Sequence, residues 1–216
     1  MTQELAVKKP VVIGIVGGIA SGKSEVTRML GAMNAVIISA DEIGHRVLQL
    51  PDVQESLVSI FGDGILQESI ADSKKSRQID RKKLGAMVFG DTQDKHVMRK
   101  KLEALVHPRI RELGRAELGR LVKEAKYPMV ILDAPLLIEG GWLPYCDRVL
   151  FVDSPEAMRK QRVMERGWTE KEWRDREAAQ LGLVAKRTSA SDVLVNDGTV
   201  DQLKQRVAEF VASLSL

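Results

Sequence analysis

The run Gly17-Gly18-Ile19-Ala20-Ser21-Gly22-Lys23-Ser24 satisfies G-x-x-x-x-G-K-[ST] at every fixed position, and a short apolar run precedes it. Its residue types dictate its chemistry. Glycines let successive backbone N–H groups curl around phosphate oxygens, and a helix starting at the end of the run adds the partial positive charge of its N-terminus. The Lys23 ammonium reaches the terminal phosphates, the Ser24 hydroxyl is placed for Mg²⁺, and Glu25 completes the segment expected to hold a nucleoside triphosphate.

Such a loop establishes nucleotide binding and leaves open what attacks the γ-phosphate. Asp41 follows a second apolar run at its carboxyl end, where ligands bind in open α/β sheets, and a carboxylate there can accept a proton from a substrate hydroxyl. The alternative for Asp41 is the N-cap of a helix over Glu42 to Leu50, which could coexist with catalysis. Asp133 ends a third apolar run and is a candidate for Mg²⁺, directly or through water; its alternative is a turn leading into Pro135. Arg159, Arg162 and Arg166 fall at i, i+3 and i+7 of a helical pattern and share a face. A guanidinium from a closing segment can neutralise charge on a transferring phosphoryl group, a solvated face being the alternative for any one of the three, and it is the family resemblance given below that implies Arg162 for that task. His45, His96 and His107 lack metal-ligand spacing, and His107-Pro108 interrupts a helical pattern.

These residues need a scaffold. Val11–Val16, Val36–Ser39, Met129–Leu132, Val149–Val152 and Val193–Val195 read as short buried strands alternating with helical stretches, the first helix covering Ser24–Leu30. The pattern predicts an α/β fold with a five-stranded parallel sheet flanked by helices. About 90 residues separate the second and third runs. Helical periodicity over Gln54–Phe61, Arg81–Val88 (with Asp80 as N-cap) and Lys95–Val106 makes residues 42–126 an inserted helical lobe, with a loop at residues 72–78. A second insertion, 155–187, reads as a charged helical hairpin turning near Gly167-Trp168-Thr169. The nucleotide-binding core is then 1–41 with 127–154 and 188–216.

With 216 residues, 44% of them apolar and 29% charged, the chain can bury a sizeable core and is not expected to be disordered. One cysteine, Cys146, excludes an internal disulfide and points to a reducing, cytoplasmic compartment. Glycines break up the run from Pro10 to Gly22, so it is not a signal peptide, and no run approaches a membrane span. The net charge of +3 is unevenly placed: residues 74–126 carry 16 Lys/Arg against 7 Asp/Glu, and residues 156–187 carry 9 against 6. Two basic segments on a mildly acidic remainder suit a gripped anionic ligand. With 4% aromatics not interleaved with the basic runs, a stacking platform for single-stranded nucleic acid is not expected.

Taken together, these stretches resemble the dephospho-coenzyme A kinase family. The resemblance rests on GIVGGIASGKS (14–24), Ala40-Asp41, IDRKKLGAMVF (79–89), LEALVHPRI (102–110), LDAPLLIEGG (132–141), RVLFVD (148–153), QRVMERG (161–167) and SDVLVNDG (191–198). It implies a fold of the nucleoside-monophosphate-kinase type with a helical substrate lobe and a lid over 155–187. The implied reaction is transfer of the ATP γ-phosphoryl group, with Mg²⁺, to the ribose 3′-hydroxyl of dephospho-CoA. Asp41 matches the family's catalytic carboxylate, Asn196 falls where the family contacts adenine, and Lys186 aligns with a basic position of the lid's returning arm. His107, Arg109 and Asp133, with Asp41, are the positions expected to meet the acceptor substrate. The partners implied are ATP and dephospho-CoA, with no nucleic acid and no membrane, and a monomer is the expected state. Two departures stand out: the family's Asp-Ala-Asp is Ser39-Ala40-Asp41 here, and Leu194-Val195-Asn196-Asp197-Gly198 lacks one of the usual acids.

A kinase of the same fold acting on another small acceptor, such as a nucleoside monophosphate, is the runner-up. Asp41-Glu42-Ile43-Gly44 also fits the D-x-x-G of a GTPase switch, but it follows Ser24 too closely, and no Asn/Thr-Lys-x-Asp sequence exists to read guanine.

Overall fold

The computed structural model describes residues 8–67, 78–90, 92–214 and 216. Five parallel strands form one sheet in the order β2-β3-β1-β4-β5: β1 (Val11–Gly17), β2 (Ala35–Ser39), β3 (Met129–Asp133), β4 (Arg148–Asp153) and β5 (Asp192–Val195). All five predicted strands are present, β1 and β3 longer by one residue at the end, β2 and β5 by one at the start, and β4 by one at each end. Parallel strands carry helices on their faces, so their side chains are buried on both sides; this is why β1 and β3 are continuous apolar runs rather than alternating ones.

Chain order and spatial order diverge at β1. The chain leaves β1 for the far edge strand β2, returns later as β3 between the two, and then crosses to β4 on the other side. Such a reversal opens a crevice at the carboxyl ends of the strands. Register aligns those ends: Asp133 pairs with Ile15 of β1 and with Ser39 of β2, while Gly17 pairs with Val152 of β4. The core around Ile13, Ile15, Leu30, Met129, Ile131, Leu150 and Val207 lies between the sheet and the helices α1 (Lys23–Ala32) and α9 (Val200–Ala212).

By its contacts the chain divides into two units, Met1–Ala40 with Ala116–Leu216, and Asp41–Arg115. The first holds the whole sheet and also the segment 155–187, which forms α6 (Glu156–Glu165), α7 (Glu170–Ala178) and α8 (Leu183–Thr188). The hairpin turns at Gly167 as read from sequence, and Thr169 starts α7 with a reciprocal capping box. The second unit holds α2 (Ala40–Val47, from its second residue), α3 (Pro51–Phe61), α4 (Arg81–Val88) and most of α5 (Gln93–Glu124). Asp80 caps α4 as expected, accepting from the backbone N–H groups of Lys82 and Lys83.

Two sequence readings are corrected. Pro108 does not interrupt the helix: α5 runs through it for 32 residues. One proline removes a single N–H from the ladder, and so long a helix retains enough other bonds to continue. By contacts the sheet-bearing unit takes up the chain again from Ala116, within α5, whereas the sequence reading carries the lobe to 126. Asp41 is not an N-cap either, since α2 already begins at Ala40. The loop expected at 72–78 lies outside the described residues apart from Gln78.

Gly14 shows how tightly β1 is enclosed: a Cβ added there would stand 2.7 Å from Cys146 Sγ and 2.9 Å from Leu137 Cδ1. Leu137 is itself fully buried and has no free direction to retreat. Gly14→Ala is therefore expected to lower stability by about 1–3 kcal/mol, measured by the denaturant midpoint; an unchanged midpoint would mean that β1 has more room than these contacts allow.

Candidate active site

The loop Gly17–Ser24 links β1 to α1. Gly22, the N-cap of α1, has φ 100° and no side chain that caps the helix, so the first N–H groups of α1 are left for a ligand. Only glycine fits there, because a Cβ would fall on the Asn196 side-chain amide. Ala20, at the loop's tip, also holds a left-handed conformation, φ 60°, without being glycine. The tip is held in place by apolar packing: Ala20 lies against Val163 and the fully buried Trp173, with Ile19 and Trp168 alongside.

The loop's carbonyl oxygens are met one after another by cationic or amide donors. Lys23 Nζ donates to Gly17 O at 3.0 Å and to Gly18 O at 2.7 Å. Arg159 Nη1 reaches Ile19 O at 3.5 Å. Arg162 Nη1 donates to Ala20 O at 3.1 Å and lies 3.4 Å from Ser21 O and 3.1 Å from Ser154 Oγ. Asn196 Nδ2 donates to Ser21 O at 2.7 Å, and the Asn196 backbone N–H is fixed by Asp153 O at 2.6 Å. Gly22 O accepts from the N–H groups of Glu25 and Val26 within the helix.

Cations therefore crowd one end of the sheet. Arg159 is 3% exposed, paired with Glu177 of α7 and stacked on Trp173 with the ring centroid 5.3 Å from its Cζ. Lys186 of α8 is equally buried and donates to Gln180 Oε1 at 2.8 Å. Burial pushes the Lys186 ammonium below its ordinary range, opposed by Glu139 and Glu177. Lys23 is pushed down to about 8, first by burial and then by the charge of Lys186, with Arg159 and Arg166 adding to the effect and Asp133 opposing it. Ser21 Oγ and Arg159 Nε are buried with no hydrogen-bond partner among the described residues. An excess of buried positive charge and unmet donors around a glycine loop suits a polyphosphate.

The expected site residues divide accordingly. Gly17, Gly18, Ile19, Ala20, Ser21, Gly22, Lys23, Arg162 and Asn196 come together, and Asp133 stands at the neighbouring strand end, acting on Lys23. Ser24 opens to solvent in the first turn of α1. Glu25 is occupied elsewhere, its carboxylate gripped by both Nε and Nη2 of Arg28. Asp41, His107 and Arg109 belong to the second unit. There Asp41 is exposed in the first turn of α2, His107 is half-buried on α5, and Arg109 pairs with Asp52 and Glu112. Sequence reasoning passed over Glu177, Trp173, Gln180 and Ser154, and placed Arg159 behind Arg162. A tryptophan alone on the charged stretch 170–178 was the available signal that α7 has a buried side.

Among the described residues no group of three or more His, Cys, Asp or Glu side chains could cage a metal ion. One hydroxyl, Ser24, and one carboxylate, Asp133, are the kind of sparse oxygen set that Mg²⁺ uses when phosphates complete its shell.

Phosphate binding favours the charged form of Lys23 and so must raise its pKa from about 8. Above that pH the free protein has lost the proton that the complex holds, so binding must take it up. ATP affinity without acceptor is expected to be level below about pH 7.5 and to fall about tenfold per pH unit above 8. Calorimetric titration across pH 6.5 to 9.5 checks this, and a level profile to the top of that range contradicts it.

The chain is similar to known proteins over nearly its whole length. Residues 11–202 match the dephospho-CoA kinase family model. The dephospho-CoA kinase of Geobacillus kaustophilus is 40% identical over 197 residues, covering 90% of this chain and 92% of the relative. Among solved structures, a Thermus thermophilus protein superposes with a TM-score of 0.73 at 34% identity, covering 96% of this chain and 99% of that one. The dephospho-CoA kinase of Campylobacter jejuni gives 0.66 at 25% identity, covering 95% and 98%. With the family model matched over residues 11–202 and nearly the whole length shared with these relatives, the chain belongs to the dephospho-CoA kinase family.

Proposed function

We propose how this chain's residues divide the work of its reaction, the ATP-dependent phosphorylation of dephospho-CoA that ends coenzyme A synthesis. The single observation that carries the assignment is the loop Gly17–Ser24, whose carbonyls accept from Lys23, Arg159, Arg162 and Asn196 while no side chain caps the N–H groups that open α1. Lys23 exchanges the carbonyls of Gly17 and Gly18 for phosphate oxygens and follows the charge as it moves in line. Arg162 and Asn196 brace the loop. The Arg162 guanidinium is engaged by Ala20, Ser21 and Ser154, which supports a bracing role ahead of the transition-state role expected from sequence. Asn196 lies at the same brace, and adenine recognition is assigned to its neighbourhood by resemblance.

Ser24 and Asp133, the latter directly or through water, are the residues that would hold Mg²⁺, which when bound would supply neutralisation of phosphate charge. Asp41 takes the proton from the ribose 3′-hydroxyl, supported by its position two residues beyond the carboxyl end of β2 and by the family match. The Asp41–Arg115 unit is the substrate lobe, where His107 and Arg109 are assigned to the acceptor. Residues 155–187 serve as the lid, excluding water that would otherwise hydrolyse ATP. A single cysteine supports a reducing, cytoplasmic setting, and a monomer is the proposed state. Cys146 itself is no nucleophile, since burial pushes its thiol up to about 11. No helix among the described residues is long and apolar enough to cross a membrane.

The test is ADP release from ATP·Mg²⁺ with dephospho-CoA and, in parallel, a panel of nucleoside monophosphates, with product mass checked for one added phosphate. Turnover confined to dephospho-CoA is expected; turnover with another acceptor would reassign the substrate lobe. Asp41→Asn should bind ATP as the parent does while turnover falls by about 10²–10⁴, and unchanged turnover would remove Asp41 from proton transfer.

A further inference from the structure

Glu177 lies on α7, outside both the phosphate motif and the arginine face, yet it carries the one ion pair made by the buried Arg159 guanidinium among the described residues. Three groups fix that guanidinium: the Glu177 carboxylate, the Trp173 ring beneath it and the Ile19 carbonyl. Its Nη1 is so close to the loop that a Cβ on Gly18 would meet it at 2.6 Å. Its Nε, by contrast, is buried with no partner among the described residues. A buried donor left unmet is unfavourable. The guanidinium that carries it stands beside Gly18 of the glycine loop.

We propose that Glu177 is a positioning residue of the phosphate site. It holds the Arg159 guanidinium over Trp173 and beside Gly18 and the Ile19 carbonyl, so that the guanidinium is already at the loop when the phosphates of ATP arrive. The proposal rests on nucleotide binding at the phosphate loop and not on which acceptor the enzyme uses. Glu177 could instead serve only as a counter-charge in a crowded cationic site, since it also acts on Lys186. The two roles give opposite signs. A counter-charge competes with phosphate, so neutralising it strengthens ATP binding; a positioning group, once lost, weakens ATP binding even though the site has become more positive.

Calorimetric titration with ATP·Mg²⁺, without acceptor, separates them in the full-length protein, in Glu177→Gln and Glu177→Ala, and in the Arg159→Ala background. Glu177→Gln still offers an oxygen to Nη1 and is expected to weaken ATP binding by about threefold, and Glu177→Ala by about tenfold, ~1.4 kcal/mol. In the Arg159→Ala background the same Glu177→Ala change should alter affinity by less than about twofold, because nothing remains to position. Tighter or unchanged binding in Glu177→Gln, or a full Glu177→Ala effect without Arg159, would overturn the proposal. Should Glu177→Ala not fold, judged by its thermal midpoint, the sign of the Glu177→Gln change decides alone. A parent protein that binds no ATP would instead overturn the phosphate-loop reading, and this proposal with it.

Discussion

A backbone segment that curls its N–H groups toward an anion turns its carbonyl oxygens the other way, and a buried carbonyl needs a donor. Much of the sheet-bearing unit answers that demand. The carbonyls from Gly17 to Ser21 are met by Lys23, Arg159, Arg162 and Asn196, which come from the first helix, the α6 helix and the loop after β5. The strands that deliver these donors are β1 and its neighbours on the β4 side. Asp153, at the end of β4, fixes the Asn196 backbone and pairs with Arg187 through its side chain. The sheet order thus sets which chain segments can reach the back of the loop.

Satisfying carbonyls with cations creates a second demand, because ammonium and guanidinium groups taken out of water are costly unless balanced. The protein balances them incompletely. Glu177 pairs with Arg159, Asp133 acts on Lys23, and Glu139 and Glu177 act on Lys186, yet Lys23 remains depressed to about 8. The remaining excess of positive charge is the driving force for binding a polyphosphate. The other charges of the 156–187 segment behave differently: Lys160–Glu170 and Lys171–Asp175 are exposed pairs screened by solvent. A single basic stretch in the sequence therefore contains two populations, one solvated and one buried around the loop.

The fold was legible in the sequence because its signals are local. Apolar runs bounded by polar stretches located all five strands, and Asp80 marked a helix start that the backbone confirms. What was not legible depends on depth. A spacing of three and four residues placed Arg159 and Arg162 on one face of α6, but periodicity does not say how far a face is buried or what lies against it. Tertiary contacts separate them: Trp173, Glu177 and the Ile19 carbonyl hold Arg159 beside Gly18, while Arg162 reaches Ala20 O and Ser154. Pro108 was misread for the opposite reason: a local signal of interruption was overridden by the length of the helix around it.

This separation bears on how the loop is organised before ATP arrives. Ala20 sits in a left-handed conformation that a residue with a Cβ adopts at some cost, and it persists only where the surroundings fix it. Here they do so from two directions. Arg162 holds the Ala20 carbonyl, and Val163, the next residue of the same helix, packs against Ala20 together with Trp173. Because α6 supplies both, a rotation of that helix that released the guanidinium would also open the apolar contact. Donors fixed in this way need little rearrangement when charge develops on a transferring phosphoryl group, and that is the property from which an enzyme gains most in electrostatic stabilisation. The loop's shape is thus built into the sheet and α6, while Lys23 of α1 holds the carbonyls of Gly17 and Gly18.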